Sequence, residues 1–139
     1  MDIANFIPKT DTVDVELKTD PDTGEVMTNK DESPMVITMY LPHSKQYKEV
    51  RHEQTNRRIQ ASQKKGAKTI TAQEIEAETI ELLVKTTVGW NITYKEKHLK
   101  EFDPKVAQEI YEMAPFIADQ LYEGVAEADL FTKNWLTNS

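Results

Sequence analysis

Pro42 divides this chain into two hydrophobic periods, and that division constrains the fold more than any other feature. Ahead of it, residues 12–18 read Thr-Val-Asp-Val-Glu-Leu-Lys, an alternation that sets Val13, Val15 and Leu17 on one face of a strand. Asp20-Pro21-Asp22-Thr23-Gly24 follows, where proline presets a turn, the aspartates bond nearby amides and glycine accepts positive φ. The turn predicts a hairpin with a return strand over residues 25–28. Residues 35–41, rich in β-branched and aromatic side chains, supply a third strand.

Beyond Pro42 the spacing becomes helical. Ser44 is placed to cap a long helix anchored by only Tyr47, Val50 and Ile59, hence a peripheral one. After the loop Lys64-Lys65-Gly66-Ala67-Lys68, Thr71 and Glu74 form a capping box for a helix with Ile75, Thr79, Leu82, Leu83 and Thr86 on one stripe. Gly89 reads as its stop, and the segment from Gly89 to Phe102 as a connector. Asp103-Pro104 starts a third helix, with Val106, Ile110, Tyr111 and Ala114 inward. Pro115 breaks it, and a fourth helix runs to about Ala126 with Ile117, Leu121 and Val125 inward. The expected class is α+β: a small N-terminal antiparallel sheet of about three strands, then about four helices. A single domain is expected over 1–139, with a sheet region at 12–41, a helical region at 44–131 and a polar tail at 132–139.

Composition narrows the functional classes. At 139 residues, 38% hydrophobic and a mean hydropathy of -0.64, the chain can bury one core. No apolar run approaches the roughly 20 residues that cross a bilayer, and the first residues lack the pattern of a signal peptide. A cytoplasmic protein without membrane contact is expected. The absence of cysteine excludes disulfides, thiolate metal sites and thiol nucleophiles.

Charge is unevenly spread. Residues 1–34 hold nine acids and three bases, whereas residues 45–68 hold eight bases against Glu49 and Glu53, a local charge of +6 in a chain of net -7. A basic run is a possible nucleic-acid footprint, but an acidic chain repels a polyanion at long range. The run is expected either to dock on the protein's own acidic segments or to be a solvated helix face, with no nucleic acid bound.

Catalytic patterns are missing: there is no phosphate loop, no Gly-x-Ser-x-Gly and no His-Glu-x-x-His. Asp20-x-Asp22-x-Gly24 has the start of a calcium loop, but Glu25 and Asp31 occupy positions where glycine and glutamate belong, so a turn is expected. Glu49-x-x-His52 has di-iron spacing without a second copy, and Arg51 opposes a cation there. Ser44 beside His43 is more simply a cap than a nucleophile, and Asp119 with Glu123 a solvated helix face. No catalytic, cofactor or metal residue is assigned, and the reading is non-enzymatic. What remains is a binding surface. Phe131, Trp135 and Leu136 are bulky apolar residues near the chain end, with Phe131 expected in the core and Trp135 with Leu136 expected to contact a partner.

One resemblance adds to this reading. Pro21-Asp22-Thr23-Gly24-Glu25, the strand ending Leu41-Pro42-His43-Ser44, Arg57-Arg58, Gly89-Trp90, Phe102-Asp103-Pro104, Tyr111, Pro115-Phe116-Ile117, Asp119-Gln120 and Phe131 follow one another along most of the chain. In that order they resemble the tail assembly chaperones of long-tailed bacteriophages and prophages. Ala128-Asp129-Leu130-Phe131 stands where that family often has Ala-Asn-Phe. The resemblance implies a chaperone in the bacterial host cytoplasm that binds the tape measure protein and keeps it soluble until tube subunits polymerise around it. It also implies contact with the tail tube protein by a longer frameshifted product, and self-association is a further expectation. The rival readings are a head-to-tail connector or tail terminator that stays in the virion, and a small DNA-binding regulator carried by residues 45–68.

Overall fold

The computed structural model describes residues 2–20, 22–64, 66 and 69–138, with Phe6 and residues 131–138 described by backbone alone. After a short 3-10 turn at Ile3–Phe6, the strands are β1 (Thr12–Glu16), β2 (Val36–Tyr40), β3 (Thr87–Tyr94) and β4 (Lys97–Leu99). The helices are α1 (Lys45–Ser62), α2 (Ala72–Lys85), α3 (Pro104–Met113) and α4 (Pro115–Asn138). The class is α+β, a four-stranded antiparallel sheet in the order β1-β2-β3-β4 against which α4 packs at β1 and β2.

Alternation decides which face the helices cover. Val15 lies opposite Ile37, and Ile37 opposite Trp90, a row buried against α4 and α3. Met39, Ile92, Tyr111, Ala107, Ile117, Leu121 and Val125 belong to the same core, which α2 joins through Ile80, Leu83 and Val84. The opposite face carries Asp14 and Thr38, joined by a hydrogen bond of 2.6 Å.

The expected third strand is β2, but the return strand over 25–28 is not one. It makes isolated bridges, Lys18 with Val26 and Thr28 with Pro34. Pairing β1 directly with β2 brings Val15 onto Ile37, which leaves residues 25–28 across the strand ends. Met27 donates its amide to Leu17 O (2.8 Å) and accepts from Met35 N (2.8 Å) there. Asn29, buried, ties this segment to β3 by accepting from Thr93 Oγ1 (2.6 Å).

A second difference is larger. The expected connector from Gly89 to Phe102 is the β3–β4 hairpin, inside the span expected to be helical, and Gly89 is a strand residue rather than a helix stop. Two threonine hydroxyls finish α2 instead. Thr86 Oγ1 donates to Leu82 O (2.6 Å), which also accepts from Thr86 N (3.0 Å), and Thr87 Oγ1 donates to Leu83 O (2.7 Å), so both hydroxyls turn back onto carbonyls of the last helical turn. The hairpin turns through Lys95 and Glu96, both at positive φ, without the glycine or asparagine that usually marks such a turn.

The expected caps are present. Ser44 Oγ accepts from Tyr47 N (3.2 Å), Thr71 Oγ1 from Glu74 N (3.2 Å) and Asp103 Oδ1 from Lys105 N (2.9 Å). Pro115 separates α3 from α4 as expected, but α4 continues past Ala126 to Asn138, so helical backbone occupies the expected tail at 132–138. No glycine or proline follows Gly124 to stop it.

Two of the expected apolar anchors are exposed. Ile59 on α1 and Ile75 on α2 both face solvent. At the turn of Ile59 the α1–α2 seam is polar: Arg57 bonds Glu81 and Arg58 bonds Glu78. Buried Gln54 donates to Glu78 O (2.8 Å) and Glu81 Oε1 (2.9 Å), and Lys85 lies 3.7 Å from Glu53. Burial pushes the Glu81 carboxyl up, but hydrogen bonds from Arg57 and Gln54 and the charge of Lys85 more than offset this and hold it below the usual range. Two of the three arginines of the basic run thus face α2 acids, while Arg51 donates to Gln54 Oε1 (3.3 Å) within α1.

Candidate functional site

Helix α4 crosses the sheet with Ile117, Leu121 and Val125 inward, spaced by four residues as an inward stripe requires. The next stripe around the helix, Ala118, Tyr122 and Ala126, faces α2 across a furrow. The furrow has two adjoining hollows. The first, about 260 Å³, lies between α2 and α4 over Ile80, Leu83 and Tyr111. The second, about 180 Å³, reaches α1 at Tyr47 over Met39 and Leu82. Leu83 and Tyr122 line both, so Tyr122 stands at the junction, and its side chain is more than half exposed.

The floor is largely apolar. Tyr111 closes it from below, its hydroxyl 2.9 Å from Thr87 Oγ1. Burial pushes the Tyr111 phenol up to about 12, the hydrogen bond to Thr87 only partly opposing it. Burial also raises the Tyr47 phenol at the far end; Arg51 opposes the shift, while Tyr122 and Asp129 add to it. The rim is acidic, with Glu76 and Asp119 beside the first hollow and Asp129 beside the second. Phe116 and Leu130 on α4 and Met113 at the end of α3 add exposed apolar surface. None of these three lines either hollow, and Tyr122 is the exposed large side chain of the furrow itself.

This arrangement has the shape for side-chain insertion. The furrow has no paired base and nucleophile, and among the described residues no group of three or more His, Asp or Glu is placed to hold a metal. At the expected turn, Asp22 N donates to Asp20 Oδ1 (2.8 Å) and Gly24, at φ 71°, donates to Asp20 O (3.1 Å), so the Asp20 oxygens serve the turn. Glu49 lies 3.8 Å from Lys45. His43 Nε2 lies 2.9 Å from Thr10 O and 3.2 Å from Asp11, while Ser44 caps α1. Asp119 and Glu123 are exposed as expected. Among the described residues no helix is long and apolar enough to cross a membrane.

Phe131, Trp135 and Leu136, assigned from sequence to core and partner contact, fall on the last turns of α4; their side chains lie outside the described residues. Sequence reasoning missed Tyr122 and Tyr47 as neighbours. The available signal was Tyr122 itself, a large aromatic one position off the stripe of Leu121 and Val125. Comparison with protein-family models, with curated proteins and with solved structures returned no match.

Proposed function

We propose that this chain is a non-enzymatic tail assembly chaperone of a long-tailed bacteriophage or prophage, which binds the tape measure protein and keeps it soluble while the tail tube assembles. The observation that carries the reading is the α2–α4 furrow with exposed Tyr122 at its centre and acids at its rim. An extended, largely helical client with an apolar stripe can lodge side chains in successive hollows, the helix-in-groove mode of recognition. Each hollow is small enough for a side chain and too small for a whole helix, so the client lies along the furrow. Trp135 and Leu136, expected from the sequence to contact the partner, are part of this proposal. Contact with the tube protein, self-association, a cytoplasmic location and the absence of nucleic-acid binding belong to the same proposal. Pairing of Arg57 and Arg58 with Glu81 and Glu78 favours the last of these, since both guanidinium groups are engaged within the fold.

The experiment is co-expression with a tape measure protein, reading the soluble fraction of the client. Tyr122→Lys, at an exposed position, and the double substitution Trp135→Ala with Leu136→Ala should each leave the thermal melt of the chain unchanged and send the client to the pellet. A client that stays soluble with both variants, or that is insoluble with the unaltered chain, rejects the reading. Mass spectrometry of mature virions separates a chaperone, which leaves, from a connector, which stays.

A further inference from the structure

The opposite flank of α4 faces the free edge of the sheet, and that edge is closed at both ends and open in the middle. Leu17 N donates to Met35 O (2.9 Å) and Asp11 O accepts from Leu41 N (2.7 Å). The odd positions of β1 therefore direct their backbone polar groups at β2, and positions 12, 14, 16 and 18 direct theirs outward. At Thr12 the Thr10 hydroxyl takes the amide (3.3 Å) and the carbonyl (3.2 Å). At Lys18 the carboxamide of Gln120 does the same, accepting from the amide and donating to the carbonyl, both at 2.8 Å. Gln120 thus makes the two bonds that an added strand would make. Between these stops the outward amides and carbonyls of Asp14 and Glu16 have no partner among the described residues.

Beside this gap lies a trough of about 810 Å³ between β1 and α4. Val13 and Val15, with the polar Thr12, Asp14, Glu16 and Lys18, form its strand side, Gly124 and Ala128 its helix side, and Glu127 its rim. A sheet edge running beside a helix, with open backbone groups and room for side chains between, is the geometry that takes an extended peptide.

We propose that β1 binds an extended segment of a partner protein by strand addition over Asp14 and Glu16, and that the segment alternates apolar with basic residues. Alternation follows from the pleat: every second side chain of the added strand lies on the face of Val13 and Val15, along the flank of α4, and the others meet the Asp14 and Glu16 carboxylates on the solvent face. Charge disfavours a second copy as the occupant, because an antiparallel pair of β1 edges centred on the open gap sets Asp14 against Glu16. The chain's own first residues do not fill the trough, since Ile3 and Ile7 are 83% and 62% exposed. This surface is distinct from the α2–α4 furrow and does not depend on the tape measure reading.

The test titrates the full chain against a fluorescein-labelled pentapeptide of alternating lysine and valine, reading anisotropy and amide exchange. Binding that slows exchange at Asp14 and Glu16 is expected. Glu16→Pro removes an outward amide without touching the β1–β2 ladder, and should weaken binding at least about tenfold, as should a peptide N-methylated on its donating amides. Asp14→Lys with Glu16→Lys should reverse the preference toward a glutamate-valine peptide. Should Glu16→Pro misfold, the methylated peptide on the unaltered chain still decides the matter. The proposal is overturned by equal binding of the methylated peptide, by failure of the lysine-valine peptide to bind, or by exchange protection at α1 and α2 instead. Protection of Asp14 and Glu16 in the free chain, or a dimer abolished by Glu16→Pro, assigns the edge to another occupant and also overturns it.

Discussion

Gly124 sits mid-helix in α4 where glycine is a liability, and the reason it is tolerated is Val15. A Cβ at position 124 would stand 2.9 Å from Val15 Cγ2 and 3.1 Å from Val15 Cγ1. Carbon pairs rest at about 3.5–4.0 Å. Val15 cannot swing away easily, because it is β-branched, buried and held opposite Ile37 in the ladder. Gly124→Ala therefore sets two effects against each other. Removing a mid-helix glycine stabilises by about 0.8–1.0 kcal/mol, while overpacking a filled core costs about 1–3 kcal/mol. The expected net is destabilisation of up to about 2 kcal/mol. In a Val15→Ala background both Cγ atoms are gone and the Val15 Cβ contact at 3.6 Å is ordinary, so the same substitution should stabilise by about 1 kcal/mol. Urea melts of the four proteins in this cycle, followed by circular dichroism, measure the coupling directly, and about 1–3 kcal/mol is expected. Additivity within about 0.5 kcal/mol would refute the close approach of α4 to β1.

Other predictions test the floor, the caps and the seam. Tyr111 has a folded pKa of about 12 against an ordinary value of 10.0, so the stability linked to its neutral form is present below pH 10.0 and is lost as pH rises through about 12. That gap corresponds to about 3 kcal/mol, and Tyr111→Phe should remove this part of the alkaline slope in melts between these pH values. Thr87→Val should cost about 1–3 kcal/mol by leaving the Tyr111 hydroxyl unpaired, more than Tyr111→Phe costs near neutrality, as comparison of the two urea midpoints will show. Asp103→Ala should cost about 1 kcal/mol as a lost cap, and Ile110→Ala about 2–5 kcal/mol as a core truncation; a reversed order in urea melts would mean that Ile110 is not buried. Because the Glu81 carboxyl is held below its usual range, its contribution is present above the unfolded pKa and fades as pH falls through the folded one. Amide exchange should then quicken in α1 before the sheet at low pH, and Glu81→Gln should produce the same pattern at neutral pH.

The parts of the fold legible in sequence were those decided within a few residues. Ser44, Thr71 and Asp103 mark helix starts because a side-chain oxygen reaches an amide two or three positions on, and Pro115 ends α3 by a clash with its own neighbour. The alternation of Val13, Val15 and Leu17 was equally local. The hairpin of β3 and β4 was masked. Trp90, Ile92 and Tyr94 alternate as a strand should, but Gly89 reads as a helix stop and the Lys95-Glu96 turn has no glycine. Of the candidate site, the charge reversal between α1 and its acidic surroundings was legible as a pattern, while Tyr122 and the furrow beside it were not.

The sequence by itself determined the class, the helix boundaries set by caps and proline, and the apolar stripes that face the core. Tertiary structure alone decided which strands are neighbours and which edge stays open. It also decided that Gln120 closes the sheet edge at Lys18, 102 positions away, and that Gly124 has to be small for Val15. The physical reason is range. Caps and periodicity express free energies settled within one turn or one pleat, whereas strand order and groove shape arise from burying remote surfaces against each other, and no local pattern records which surfaces those will be.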